Sequence, residues 1–395
     1  MRALFIGFYF VLVAGNSFAQ NCLSPALGPA NNKFGFDIYN YLLQQKGVVF
    51  FSPYSIYSAL QMTAEGAKGT TASEMSQTLY SKNNLDCIRN DISKSQQRYN
   101  SLMATGDSIH VANSLWVQNS FPLNNSFTDL VKSNYKASVR EMDFLKNAEG
   151  SRKTINDWVE QQTNKRIKDL LAQGTVSPDT KLVLVNTIWL KAKWLMPFDP
   201  ANTRDEVFHA TDKEIKTPFM HKMMPVNYVE DETMQMIELP YKDKKISMMV
   251  LLPVKGEEKA FENKVSSEQV DKWIAAMKTE KTNISLPKLK LNSSFNLNDV
   301  LTKLGMRTAF SDNADFSGIS RSGLKISDVI HKAFIEVDED GTEAAAATAV
   351  TMVTTSMRPP DPQPIKVFKA DRPFVFFLYD KEAKTILFMG KMERP

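Results

Sequence analysis

Cysteine and histidine are scarce in this 395-residue chain: Cys22 and Cys87 are its only cysteines, and His110, His209, His221 and His331 its only histidines. None of the four histidines falls in the H-E-x-x-H spacing that sets two metal ligands and a base on one helix face. Neither cysteine has the setting of a nucleophile, and no G-x-S-x-G elbow is present, so the residues that hydrolytic enzymes need are missing. Two apparent motifs fail on inspection. Gly66-Ala67-Lys68-Gly69-Thr70 has the ingredients of a phosphate loop in the wrong order and reads as a turn after a helix. Glu336-Val337-Asp338-Glu339-Asp340-Gly341 mimics the first half of a calcium loop, but the twelfth position, which needs a bidentate glutamate, is Ala347. No cofactor and no metal is expected.

Linkers and repeats are also missing. No Gly/Ser-rich or charge-block segment divides the chain and no internal repeat appears, so residues 20–395 read as a single domain. The composition, 43% hydrophobic, 23% charged and 10% aromatic, is that of a soluble globular protein. The net charge is +4, and +3 once Arg2 is subtracted with the leader described next. Its lysines and arginines are spread out, which gives no footprint for nucleic acid. Arg89, Lys94 and Arg98 could share one helical face and hint weakly at a glycosaminoglycan, although a solvated face is the preferred reading.

One apolar run stands out. Met1 to Ala14 carries a single positive charge and then a short hydrophobic stretch, and Ser17-Phe18-Ala19 supplies a small-x-small cleavage site. Residues 1–19 therefore read as a signal peptide, too short to span a bilayer, with the mature chain starting at Gln20. A secreted, extracellular monomer without a membrane anchor is the expectation. Export would give Cys22 and Cys87 an oxidising compartment, in which they are expected to pair. It would also make usable the sequons at Asn124, Asn283 and Asn292.

Periodicity gives the elements. Asn31-Asn32 reads as the cap of a helix carrying Phe34, Ile38, Tyr41 and Leu42 on its inner face, and Ser52 as the cap of a second helix beginning at Pro53. Ile109 to Val117 reads as a strand, and Ile155, Trp158 and Val159 as the inner face of another helix. Leu182 to Leu190 is apolar on both alternating sets, as a strand covered on both sides requires. Asn186 breaks that pattern: without partners a buried amide costs about 1 to 3 kcal/mol, so it belongs to a polar network or the strand is less buried than it looks. Further strands are expected at Ile246 to Leu252, Phe374 to Tyr379 and Ile386 to Met389, the last two joined by a polar turn over Asp380 to Lys384. Helices first and strands later indicate an α+β fold.

The segment after Gly341 is unusual. Thr342-Glu343-Ala344-Ala345-Ala346-Ala347-Thr348-Ala349-Val350-Thr351-Met352-Val353-Thr354-Thr355-Ser356 is built from small residues, with no proline before Pro359. Its β-branched half disfavours a helix. As a strand, one face holds Thr342, Ala344, Ala346, Thr348, Val350, Met352 and Thr354, and the only charge, Glu343, lies on the other. Such a segment can enter a crowded sheet with every amide free for the ladder.

On these stretches the chain resembles the serpin family over essentially its whole mature length. The resemblance is carried by Phe50-Phe51-Ser52-Pro53-Tyr54-Ser55-Ile56, Gly66 to Thr71, Ile155-Asn156-Asp157-Trp158-Val159, Leu184-Val185-Asn186-Thr187-Ile188-Trp189, Lys191-Ala192-Lys193-Trp194, the segment after Gly341, Asp371-Arg372-Pro373-Phe374 and Leu387-Phe388-Met389-Gly390. It implies three β-sheets, about nine helices and an exposed reactive-centre loop near residues 341–360. It also implies suicide inhibition of a serine protease, in which an acyl-enzyme forms and the cut loop inserts as a new strand.

The resemblance further implies roles for single residues. Ser52, Ser55, Asn186 and His331 match the shutter beneath the strands that part, Trp194 matches the breach where insertion begins, and Gly341 to Thr348 match the hinge. The hinge comprises Gly341, Thr342, Glu343, Ala344, Ala345, Ala346, Ala347 and Thr348, whose small size favours an inhibitory member over a non-inhibitory carrier. Counting fourteen residues past Gly341 gives Thr355-Ser356 as the reactive bond, whose threonine suits an elastase-like protease, whereas a cut at Met352 or Met357 would suit a chymotrypsin-like one. Met352, Met357 and Arg358 are its rivals; Arg358 is disfavoured by the proline that follows it.

Overall fold

The computed structural model describes residues 22, 26–45, 47–82, 84–102, 108–342 and 364–395. The expected leader, hinge residues Glu343 to Thr348, the Thr355-Ser356 bond and its rivals Met352, Met357 and Arg358 lie outside them.

Among the described residues the helices are α1 (Leu27–Leu42), α2 (Pro53–Ala64), α3 (Gly69–Thr78), α4 (Leu85–Leu102), α5 (Asn125–Tyr135), α6 (Phe144–Gln162), α7 (Glu258–Lys264), α8 (Ser267–Ala276) and α9 (Asn298–Lys303). The strands of one sheet are β2 (Ser108–Gln118), β3 (Ser138–Met142), β4 (Leu182–Lys193), β10 (Leu289–Asn296), β11 (Asp328–Val337) and β12 (Gly341–Thr342), in the order β10-β11-β12-β4-β2-β3. The second sheet has nine strands: β1 (Phe50–Phe51), β5 (Arg204–His209), β6 (Glu214–Glu230), β7 (Met234–Pro240), β8 (Ile246–Pro253), β9 (Lys278–Pro287), β13 (Lys366–Lys369), β14 (Phe374–Asp380) and β15 (Thr385–Met392). The fold is mixed α+β, as the sequence indicates. Where the resemblance implies three sheets, the described residues form two, the nine-stranded one being continuous. The 17-residue β6 makes it continuous, pairing with β5 through 214–219, with β9 through 219–228 and with β7 through 227–230.

Sequence explains most of these elements locally. Pro53 opens α2, where its missing N–H costs nothing, and Ser52 caps it by accepting from Ser55 N at 3.1 Å. The helix expected to begin at Asn31-Asn32 instead begins at Leu27, four residues earlier. Both asparagines lie inside α1 because the turn before β15 needs donors: Asn31 Nδ2 donates to Ile386 O at 3.0 Å and Asn32 Nδ2 to Lys384 O at 2.9 Å. A paired tertiary carbonyl here outweighs the weak helix propensity of asparagine.

β4 is covered on both faces. Val183 and Val185 pack with Trp116, Ile155, Trp158 and Val159 under α6, whereas Leu182, Leu184, Ile188 and Leu190 belong to the main core, which also holds α2. Alternation therefore points Asn186 into the main core, towards α2. β4 and β11 run parallel over six residue pairs, from Val183↔Asp328 to Ile188↔Ala333, and then separate towards the Lys193 end. This divergence is the structural feature on which the site is built.

Cys22 is bonded to Cys87, tying the start of the described chain to α4. The three cationic residues noted on α4 are not a free basic face. Arg89 forms ion pairs with Glu65 at 2.6 Å and Asp86 at 2.9 Å, and Arg98 is held by Asp380 and by Glu382 at 3.0 Å, leaving Lys94 as the exposed member.

Candidate functional site

Two clusters lie along the line between β4 and β11. The lower one is polar and fully enclosed. The Ser55 hydroxyl donates to Asn186 Oδ1, Asn186 Nδ2 donates to Asn113 Oδ1, and Asn113 Nδ2 donates to Ser58 Oγ at 3.2 Å. His331 faces Asn186 across the parallel pair, and its Nε2 accepts from Ser52 N at 3.0 Å. The Ser52 hydroxyl in turn donates to Leu387 O. Strands β2, β4, β11 and β15 are thus joined to α2 by side chains that are each at most 3% exposed. Asn186 has the partners that its burial demands. His331 is neutral there: burial lowers its pKa from 6.5 to about 3. Its Nδ1, which carries the proton when Nε2 accepts, has no partner among the described residues.

Two members of this cluster, Asn113 and Ser58, were not singled out from the sequence. Asn113 carries the same signal as Asn186, an amide interrupting a strand of apolar residues.

The upper cluster closes the mouth of the divergence. After β11 the chain turns back on itself. Asp338 Oδ1 accepts from Asp340 N at 3.0 Å and Gly341 N at 3.2 Å, while Asp338 N donates to Gly341 O at 2.9 Å. The acidic run that imitates a calcium loop is thereby used as a turn. At Gly341 a Cβ would lie 2.1 Å from Ala192 O, so no side chain fits. Glu339 is anchored by Lys288 at 2.7 Å and by the Thr203 hydroxyl at 2.6 Å. Burial alone would raise its pKa, but these two partners outweigh that and hold it below the ordinary glutamate value.

That turn delivers β12 between the separating strands. Thr342 pairs with Val337 on one side and Ala192 on the other, and Gly341 pairs with Lys193, antiparallel to both neighbours. Thr342 is 1% exposed. Its hydroxyl lies 2.6 Å from the Tyr241 hydroxyl, and the Tyr241 ring stacks on Trp194 with centroids 4.5 Å apart and planes 8° apart. Trp194 closes the cluster by donating from Nε1 to Asp338 O at 3.0 Å and from its backbone to Asp340 O at 2.9 Å. Trp194 and the first two hinge residues therefore meet. Tyr241 was not foreseen: nothing local marks it, and its partner Thr342 is 101 residues away.

The structure also brings together a serine, a histidine and an acid that the sequence keeps apart. Ser285 Oγ lies 3.0 Å from His221 Nδ1, and His221 Nε2 lies 3.1 Å from Glu206 Oε1. Glu206 is shared with Lys369 at 3.0 Å and Arg204 at 2.9 Å, and burial lowers the His221 pKa, with Arg204 adding to the shift. A base needs the opposite balance, since its carboxylate must stabilise the imidazolium. The group fastens β13 to β5, β6 and β9.

The sequons differ in setting. Asn283 on β9 and Asn292 on β10 are exposed, whereas both N–H bonds of the Asn124 side chain are spent on Ser317 O and Gly318 O, each at 2.9 Å.

Known proteins agree with this architecture. The family model described as Serpin (serine protease inhibitor) matches residues 29–395. An uncharacterized serpin-like protein of Thermococcus kodakarensis is 41% identical over 93% of this chain and 85% of its own length. The leukocyte elastase inhibitor of Sus scrofa is 35% identical over 93% of this chain and 99% of its own. Among solved structures, human thyroxine-binding globulin complexed with thyroxine superposes with a TM-score of 0.82 at 29% identity, covering 93% of this chain and 98% of that one. Serpin48 of the insect Tenebrio molitor, described as highly specific, superposes with a TM-score of 0.83 at 29% identity, covering 94% and 99%. Whole-length matches of this kind, joined to a hinge seated between β4 and β11, establish that the chain belongs to the serpin family.

Proposed function

We propose that this chain is a secreted inhibitor of serine proteases that acts once, by offering residues near 341–360 as bait and then taking the cut loop into the six-stranded sheet. The observation that carries this reading is β12. Its two residues already occupy the divergence between β4 and β11, antiparallel to both. Continuing that course would replace the six-residue parallel contact below with two antiparallel ladders, which are the more stable pairing per residue. Roughly ten added backbone bonds at about 1 kcal/mol each give on the order of 10 kcal/mol. That is enough to displace a covalently attached protease before its ester hydrolyses, provided the starting state is kinetically trapped.

The sequence after Thr342 fits such a passage, since the face in line with Thr342 is small and uncharged. Thr355-Ser356 is the proposed reactive bond, and an elastase-like or chymotrypsin-like enzyme the proposed target. The likeness to the leukocyte elastase inhibitor is consistent with that class. The second reading, a non-inhibitory carrier, draws support from the likeness to thyroxine-binding globulin. The seated, small-residue hinge favours inhibition.

The deciding experiment mixes the purified protein with elastase-, chymotrypsin- and trypsin-like proteases, looks for an SDS-stable complex and locates the cut by mass spectrometry. A complex with cleavage after Thr355 is the expected result. Clean cleavage by every enzyme, with no complex, would overturn the inhibitory reading in favour of the carrier.

A further inference from the structure

We infer that Tyr241 is a positioning residue for loop entry: its hydroxyl holds Thr342 in the mouth of the divergence and so fixes the register in which the rest of the loop follows. The inference rests on the inhibitory reading above and adds a residue that sequence reasoning did not assign. Register matters here because successive side chains of a strand point to opposite faces, so a slip of one residue exchanges the two sets. With Thr342 directed at Tyr241, a loop inserted in this register would carry Ala344, Ala346, Thr348 and Val350 to the core face. A slip of one would bring Glu343 to that face, and a carboxylate cannot be buried there without a partner.

Tyr241 is placed to enforce the choice. It is fully buried, its ring lies flat against Trp194, and its backbone forms a bridge with Trp194 and accepts no slack, since Tyr241 N donates to Ile246 O at 3.0 Å and Lys242 N to Lys193 O at 2.8 Å. The phenol is thus held from two sides by residues of the sheet mouth. Thr342 is the first hinge side chain to meet it. Because cleavage starts a race between insertion and hydrolysis, a preset first pair spares the loop the cost of starting the ladder.

The test uses Tyr241→Phe and Thr342→Val, each of which removes one hydroxyl and keeps the shape, together with the double variant. With a protease that the wild type traps, each single variant should consume roughly three- to ten-fold more inhibitor per protease trapped, the worth of one buried hydrogen bond. The rate of first encounter should be unchanged. The double variant should be no worse than either single, because the same bond is lost once. Wild-type stoichiometry in Tyr241→Phe, or multiplied effects in the double, would overturn the inference while leaving the inhibitory reading intact. If the wild type traps nothing, the inhibitory reading fails, and amide exchange at Gly341–Thr342 still decides the role of Tyr241. Faster exchange in Tyr241→Phe is expected, and unchanged protection would sink the inference.

Discussion

Glu339 and Lys288 form a 2.7 Å ion pair across the base of the hinge, with the glutamate almost fully buried and the lysine part exposed. Reversing one charge would set two lysines against each other and leave Thr203 without its acceptor. Glu339→Lys should cost about 1 to 3 kcal/mol and loosen the turn that delivers Gly341. Calorimetry should find a lower melting temperature, and exchange should quicken over 338–342; a melting curve superposable on the wild type would refute the assignment.

His331 makes stability depend on pH in a stated direction. Its native pKa of about 3 lies below the ordinary 6.5, so as pH falls through 6.5 the unfolded chain takes up a proton that the native protein refuses. The contribution is complete above 6.5 and is lost progressively towards pH 3, up to about 5 kcal/mol in all. Denaturant titrations between pH 6.5 and 5 should show the decline before carboxylates begin to protonate. His110 and His221 also have lowered pKa values and share in it. Subtracting the same series for His331→Gln isolates the share of His331; an identical slope in that variant would contradict the buried neutral imidazole.

The Cys22–Cys87 bond closes an interval of 65 residues. Chain entropy values such a closure at about 4 kcal/mol. Reductant, or Cys87→Ser, should lower the denaturation midpoint accordingly without altering the fold by circular dichroism.

Thr342→Arg would place a charge in a slot that is 1% exposed. On the inhibitory reading this variant should be cleaved at the wild-type site yet form little SDS-stable complex. Normal complex formation would show that the seated hinge has no part in trapping.

Much of this site was legible because its residues break a local pattern. Asn186 is visible as a lone amide in a strand of leucines and valines, Ser52 as a cap before proline, and the hinge as a run of small residues beginning at a glycine. Other features depend on distant pairing that no local window contains. Tyr241 follows Pro240 like any strand end, and only the return of the chain at Gly341 gives it a partner. Asn31 and Asn32 misled for the same reason: their amides serve the carbonyls of Lys384 and Ile386, so they sit within a helix that they were expected to cap. The joining of two expected sheets depends on the length of β6, whose pattern alone does not reveal where one set of partners ends and the next begins.

The placing of β14 and β15 has a consequence for how the molecule is made. These strands, from Phe374 to Met392, lie between β1 near residue 50 and β8 near residue 250, inside the nine-stranded sheet next to its β1 edge. Until they arrive, β1 has no neighbour in that sheet and β8 lacks one of its two. The core therefore cannot close progressively behind a ribosome, and such distant pairings make folding slow. On the inhibitory reading, slow closure of this sheet would leave the parallel contact of β4 with β11, which needs no residue beyond 333, free to form first.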